Sequence, residues 1–192
     1  MPSRDPDKRY TYADCLTWPE NERWEIHEGV PCMLTAPSWQ HQEILGSLFN
    51  QLYNYLEGKP CRVFCAPFDL RLPEPGQTDE ETTFVVQPDI TVVCDVTKLN
   101  RTGYCGVPTL IIEITSPATA KIDKIIKFNR FEKMGVPEYW IVEPEEKIVS
   151  VYTLLENGRY GRPEVYPEDG NIRVHAFPDL VVELNSVFLN KQ

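Results

Sequence analysis

The centre of the chain constrains the fold most. Residues 84–143 read "FVVQPDITVV", then "TLIIEIT", then a helical pattern "SPATAKIDKIIKFNRFEKMG", then "PEYWIVE". Two apolar runs of strand length, one run with helical periodicity and a third apolar strand predict a sheet with a helix folded over it. A second helical pattern precedes this centre. In "WQHQEILGSLFNQLYNYLEG", Ile44, Leu45, Leu48, Leu52, Tyr55 and Leu56 recur at helical spacing, Ser38 caps the start and Gly58 ends it. The fold class is therefore α/β or α+β.

The flanking segments predict additional β structure. "RWEIHEGVPCMLTA" reads as a hairpin turning at Glu28-Gly29, and "TYADCLTW" as a short helix opened by Thr11. "CRVFCAPFDLRL" is extended and bent at Pro67, and "PEPGQTDEETT" is a polar loop. After Lys147 the pattern is β meander, with a hairpin signal at Glu156-Asn157-Gly158. Thr119 is the expected N-cap of the central helix and Gly135 its stop. With 192 residues and no linker or repeat, one domain over 10–190 is expected, with residues 1–9 as a flexible start.

Net charge and cysteines limit the function. A charge of −10 argues against high-affinity, non-specific binding of nucleic acid, which calls for a basic surface. It leaves room for a metal-dependent site, whose ligands are themselves acidic. None of the six cysteines falls in a Cys-x-x-Cys pair, so zinc is not expected. With no apolar leader and no bilayer-length apolar run, the expectation is a cytoplasmic protein whose thiols are reduced and mostly buried.

One residue stands out against its surroundings. Glu113 interrupts an otherwise apolar strand, where an ionised carboxylate is costly unless paired. Side chains alternate along strands, so Asp89, Thr91 and Val93 share one face, as do Thr109, Ile111, Glu113 and Thr115. On neighbouring strands, Asp89 and Glu113 would lie close, and two such carboxylates repel unless a cation sits between them. Mg²⁺ or Mn²⁺, hard ions that prefer oxygen, would serve, with the backbone carbonyl of Ile114 as a further ligand. Lys127 lies eight residues into the helix, about 12 Å along its axis, which returns it to the level of Glu113. Asp123, one turn before Lys127, could hold it through an i,i+4 pair, although that pair by itself reads as a solvated one. The alternative for the whole set is a buried ion-pair network with only a structural role.

The pieces "ERWEIHEGVP", "SWQHQEI", "QPDITVV", "LIIEITSPAT", "DKIIKFNRF" and "KMGVPEYWIVEPE" resemble, in order and spacing, the Uma-two family of restriction endonucleases in the PD-(D/E)xK nuclease superfamily. The resemblance spans roughly residues 10–155. It implies a restriction-endonuclease-like core, a mixed sheet flanked by helices that carries a Mg²⁺ or Mn²⁺ site, with DNA as substrate and a homodimer as a natural way to cut two strands. Asp89 matches the aspartate of the Pro-Asp motif and Glu113 the second acidic ligand. The superfamily's lysine normally stands two residues after that glutamate; here that position is Thr115, and Lys127 matches the lysine displaced to the helix. Glu25 matches an acidic residue that completes or orients the metal site. His41 matches a histidine that orients a ligand or contacts phosphate. Phe131 stands where the family usually has tyrosine.

Asp69 reads as structural, and Tyr139 and Trp140 as core. Two other readings remain open. One is a non-catalytic nuclease-fold protein that binds nucleic acid or a protein partner. The other is a metal-dependent hydrolase of some other phosphoester.

Overall fold

The protein was analysed as a computed structural model that describes residues 5, 7–19 and 21–188. Of the expected flexible start, residues 1–4 and 6 lie outside the described residues, as do residues 189 and 190 at the far end of the expected domain. The fold is mixed α+β. The chain forms two compact units: residues 1–36, 66–88 and 97–106 make the first, and residues 37–65, 89–96 and 107–192 the second.

The first unit holds a short helix and a six-stranded sheet. Helix α1 (Tyr12–Cys15) starts at Thr11, whose backbone N–H donates to the Asp14 carboxylate. The strands are β1 (Trp24–His27), β2 (Val30–Met33), β4 (Asp69–Arg71), β5 (Val85–Val86), β7 (Leu99–Asn100) and β8 (Gly103–Cys105), in the order β2-β1-β5-β4-β8-β7. His27 pairs with Val30 across the two-residue turn Glu28-Gly29, whose φ angles are both positive (50° and 81°). This is the hairpin expected from the sequence, and glycine relieves the left-handed conformation at its second position. Tyr10, Tyr12, Ile26 and Val85 form its small core with Cys15 and Trp18.

The second unit is built on the order β12-β11-β10-β9-β6-β3. Its strands are β3 (Arg62–Cys65), β6 (Ile90–Val93), β9 (Leu110–Ile114), β10 (Glu138–Glu143), β11 (Ile148–Thr153) and β12 (Glu164–Pro167). β9 and β10 are parallel; the other pairs are antiparallel. A parallel neighbour needs a crossover, which the helical segment 120–134 provides. Alternation divides the sheet's two faces. Ile90, Val92, Leu110, Ile112, Ile114, Trp140 and Val142 enter one core with Ile44, Leu48, Leu52 and Leu56 of α2 (Trp39–Leu56). The hairpin β13 (Asn171–Arg173) and β14 (Val181–Glu183) adds Ile172 and Val182 to that core. Tyr139, on the other face, packs against Phe128 and Phe131 of α3 (Phe128–Met134). Tyr139 and Trp140 are fully buried, as expected.

Three expectations need correction. "FVVQPDITVV" is not one strand: β5 and β6 belong to different sheets and are separated at Gln87–Asp89. Pro88 lacks the N–H that a continuous strand would need. Thr119 directly precedes the central helix, as expected, and its carbonyl accepts from Asp123 N–H. The side-chain bonds there, however, form a reciprocal pair with Ser116 rather than a cap by Thr119 alone. Ser116 Oγ accepts from the Thr119 N–H, Thr119 Oγ1 accepts from the Ser116 N–H, and Ala120 N–H donates to the Ser116 carbonyl. Gly135 does end the helix, in the left-handed conformation at φ 80°.

The third correction concerns the thiols. Cys61 and Cys94 form a disulfide across 33 residues, while Cys15, Cys32, Cys65 and Cys105 lie outside it and are half-buried. Spacing does not reveal this pair because the register creates it. Arg62 pairs with Val93, so one residue further along Cys61 faces Cys94. Among the described residues, no helix is long and apolar enough to cross a membrane.

Alkylation of the denatured, unreduced protein is expected to label four cysteines, rising to six after reduction, with the 61- and 94-containing peptides linked beforehand in mass spectra. Cys94→Ser is expected to lower stability by about 3–4 kcal/mol through the loop it releases in the unfolded chain, read by denaturant titration.

Candidate active site

Three elements of the second unit carry the residues singled out from the sequence. Asp89 stands at the entrance to β6, Glu113 near the end of β9, and Lys127 closes a π-helical stretch (Ile122–Lys127) that runs directly into α3. Extending the β6/β9 register by one residue from Ile90↔Ile112 sets Asp89 opposite Glu113. Glu113 lies on the sheet face that carries Ile111 and Tyr139, and it meets the helix there. Lys127 Nζ donates to Glu113 Oε1 at 2.8 Å.

Both ends of this pair are buried, with side chains 5% exposed. Asp123 Oδ1 lies 3.5 Å from the same ammonium, and its side chain is 3% exposed. Asp123 and Lys127 are therefore not the solvated helix pair that their spacing alone suggests. The helix turns them onto the sheet, where one ammonium serves two carboxylates. The π-helical turn has a local consequence as well. The Asp123 carbonyl accepts from Phe128 N–H, five residues on, and also from the Tyr139 hydroxyl at 3.1 Å. Burial, then the negative charges of Glu113 and Asp123, push the Tyr139 phenol well above its usual pKa, so it remains a protonated donor.

Asp89 is held differently. Its Oδ2 accepts from the Ile114 backbone N–H at 2.7 Å and lies 3.1 Å from His41 Nε2. β6 begins only at Ile90, so the Asp89 carboxylate takes the place of the next backbone acceptor in the ladder. An ionised carboxylate can only accept, which puts the proton of His41 on Nε2. His41 Nδ1 is buried without a hydrogen-bond partner among the described residues. Ser38, the N-cap of α2, accepts from the His41 backbone N–H and so fixes the turn that presents the imidazole. In a strand, the N–H and C=O of one residue project to the same side, so the Ile114 carbonyl faces the edge where Asp89 sits.

Glu25 belongs to the first unit, in β1, and is 2% exposed. Its Oε1 accepts from the Gln87 backbone N–H at 2.8 Å, and its Oε2 lies 3.0 Å from His27 Nε2. His27, which the sequence does not single out, shares a strand face with Glu25 because residues i and i+2 of a strand point the same way. Gln87 Nε2 donates to Asp69 Oδ1 at 2.9 Å, and Arg23 Nε donates to Gln87 Oε1. Burial raises the Asp69 pKa, opposed by the Gln87 hydrogen bond and the charge of Arg71. Thr115 donates to the Val142 carbonyl. Phe131 is fully buried and meets the Tyr139 ring edge-on at 5.1 Å.

Among the described residues, no three His, Cys, Asp or Glu side chains converge as a metal-ligating group. Mg²⁺ does not require three, since it is held by one or two carboxylates with waters completing its shell. Asp89, Glu113 and the Ile114 carbonyl make an all-oxygen donor set on adjacent strands, the chemistry such an ion prefers.

The family model described as "Uma2: Putative restriction endonuclease" matches residues 12–186. The chain belongs to the Uma2 family. The matched span contains Pro88-Asp89, Glu113 and Lys127. An uncharacterized protein of Synechocystis sp. is 22% identical over 156 residues, covering 80% of this chain and 78% of the other. Among solved structures, "a putative nuclease belonging to DUF820" from Anabaena variabilis shares the fold. Its TM-score is 0.73 at 20% identity, over 93% of this chain and 97% of that one.

Asp69 yields a prediction with a definite sign. A native pKa raised above the unfolded value means that the native state binds more protons, so stability is lost as pH rises from the unfolded pKa through the native one. Asp69→Asn keeps the Oδ1 acceptor for Gln87 and removes the charge. It is expected to match or exceed wild-type stability at pH 7, with the difference vanishing near pH 3, in paired denaturant titrations.

Proposed function

We propose that this Uma2 chain is a metal-dependent endonuclease that hydrolyses phosphodiester bonds in DNA. The observation that carries the reading is the buried Lys127–Glu113 contact at 2.8 Å, at the strand position opposite Asp89. It returns to the sheet the acid–lysine pair that sequence order had separated. Family membership supports nuclease chemistry, and the oxygen donor set supports Mg²⁺ or Mn²⁺.

In this reading Asp89, Glu113 and the Ile114 carbonyl would hold the ion. When bound, a divalent cation polarises the scissile phosphate and lowers the pKa of a coordinated water. The protein's own residues do the rest. His41 fixes the rotamer of Asp89 through Nε2, so the carboxylate keeps one orientation. The Lys127 ammonium, with three donors on a buried stem, orients the attacking water and offsets negative charge developing on the phosphate. The low polarity of the aromatic layer formed by Phe128, Phe131 and Tyr139 strengthens both effects. Glu25 enters the reading as the acidic residue that matches the start of the family core. A symmetric pair of chains would give each DNA strand a site.

A non-catalytic role in binding nucleic acid or a protein partner is the alternative, and within it the net charge of −10 favours a protein partner. One experiment separates the two. Supercoiled plasmid and single-stranded DNA are incubated with Mg²⁺, Mn²⁺ or EDTA and wild type, Asp89→Asn, Glu113→Gln or Lys127→Met. Nicking is expected only with metal, and each variant should lose about 10²–10³-fold in rate. Folded wild type that binds metal and leaves DNA intact would transfer the assignment to the binding role.

A further inference from the structure

Asp123 is the buried acid that the reaction above does not use. Its carboxylate is 3% exposed and stands 3.5 Å from the Lys127 ammonium, which meanwhile bonds Glu113 at 2.8 Å. A buried ammonium cannot turn to water when it loses a partner, and Asp123 is a carboxylate already beside it. Charge leads to the same residue. Asp89, Glu113 and Asp123 set three carboxylates against one ammonium, two negative charges in excess among these four residues. A divalent cation carries the two positive charges that cancel them. Without Asp123, the same ion would leave the group positively charged, with Lys127 repelled by its new neighbour.

The backbone around Asp123 suits a fixed post. Its carbonyl is tied to β10 by the Tyr139 hydroxyl and to α3 by Phe128 N–H. Neither bond involves Glu113, so the Asp123 side chain keeps its place whatever Glu113 binds.

We propose that Asp123 is a positioning residue and the second seat of the Lys127 ammonium, which moves from Glu113 to Asp123 when a divalent cation takes the Glu113 carboxylate. This rests on the metal-dependent reading above and assigns a role within it. The exchange keeps Lys127 inside the site, beside the position of the attacking water, instead of forcing it to compete with the ion for one carboxylate. Asp123 touches neither substrate nor ion.

The test uses full-length wild type, Asp123→Asn and Asp123→Glu. Calorimetric titration with Mn²⁺ alone is expected to show affinity about tenfold weaker in Asp123→Asn and within about twofold of wild type in Asp123→Glu, whose carboxylate restores the seat. In plasmid nicking, Asp123→Asn is expected to lower kcat roughly 10–100-fold with KM for DNA unchanged, and Asp123→Glu to recover most of it. A crystal structure of wild type with Mg²⁺ is expected to place Lys127 Nζ nearer to Asp123 than to Glu113. It settles the matter even if Asp123→Asn fails to fold. Wild-type Mn²⁺ affinity and kcat in a folded Asp123→Asn overturn the proposal, as does a Mg²⁺-bound wild type whose ammonium stays on Glu113. Both outcomes leave the nuclease reading standing. Wild type that binds no Mn²⁺ removes that reading, and this proposal with it.

Discussion

A charged carboxylate on the apolar face of a β-sheet is tolerated only where a cation reaches it, and Glu113 depends on Lys127 for that. Much of the second unit is arranged to make the contact possible. β9 must end close to where the helix begins, the helix must fold back over one face of the sheet, and β10 must lie parallel beside β9. The reciprocal Ser116–Thr119 cap starts the helix soon after the strand, and Gly135 in its left-handed conformation turns the chain into β10. Loss of the ammonium would affect two buried acids rather than one, because Asp123 shares it.

The two faces of the same sheet divide the work. One face is closed by α2 and the C-terminal hairpin around Trp140 and the aliphatic side chains of β6 and β9. The other carries Glu113 and Tyr139 under the π-helical turn and α3. Asp89 stands at the entrance to its strand, where its carboxylate substitutes for a ladder acceptor and meets His41. Its side chain is 17% exposed, against 5% for Glu113. Asp89 is therefore the more accessible end of the cluster and Lys127 lies deeper. Phe131 meets the Tyr139 ring edge-on in this layer, where Tyr139 supplies a hydroxyl to the backbone of the π turn.

Different physics made different parts legible in advance. Helix α2 was readable because Ile44, Leu48, Leu52 and Leu56 form one stripe and Ser38 and Gly58 mark its ends. The Glu28-Gly29 hairpin was readable because only a few residue types accept two successive positive φ angles. The split of "FVVQPDITVV" was signalled by Pro88 and underweighted, since an apolar run on both sides of a proline does not say whether the sheet continues. Thr119 directly precedes the helix, as its residue type suggests, while its pairing with Ser116 depends on where β9 releases the chain.

Periodicity, capping residues and turn chemistry act over a few neighbours, so the sequence by itself determined the element order, the alternation that puts Asp89 and Glu113 on matching positions, and the family pattern. Pairing across distance is another matter, since strand register and helix docking are set by packing between segments far apart in the chain. Only the tertiary structure decided that Cys61 faces Cys94, that Ile114 and His41 both meet the Asp89 carboxylate, and that Asp123 and Lys127 leave solvent together. A charged side chain looks the same in sequence whether water or a buried counter-charge surrounds it, and the docked helix determines which.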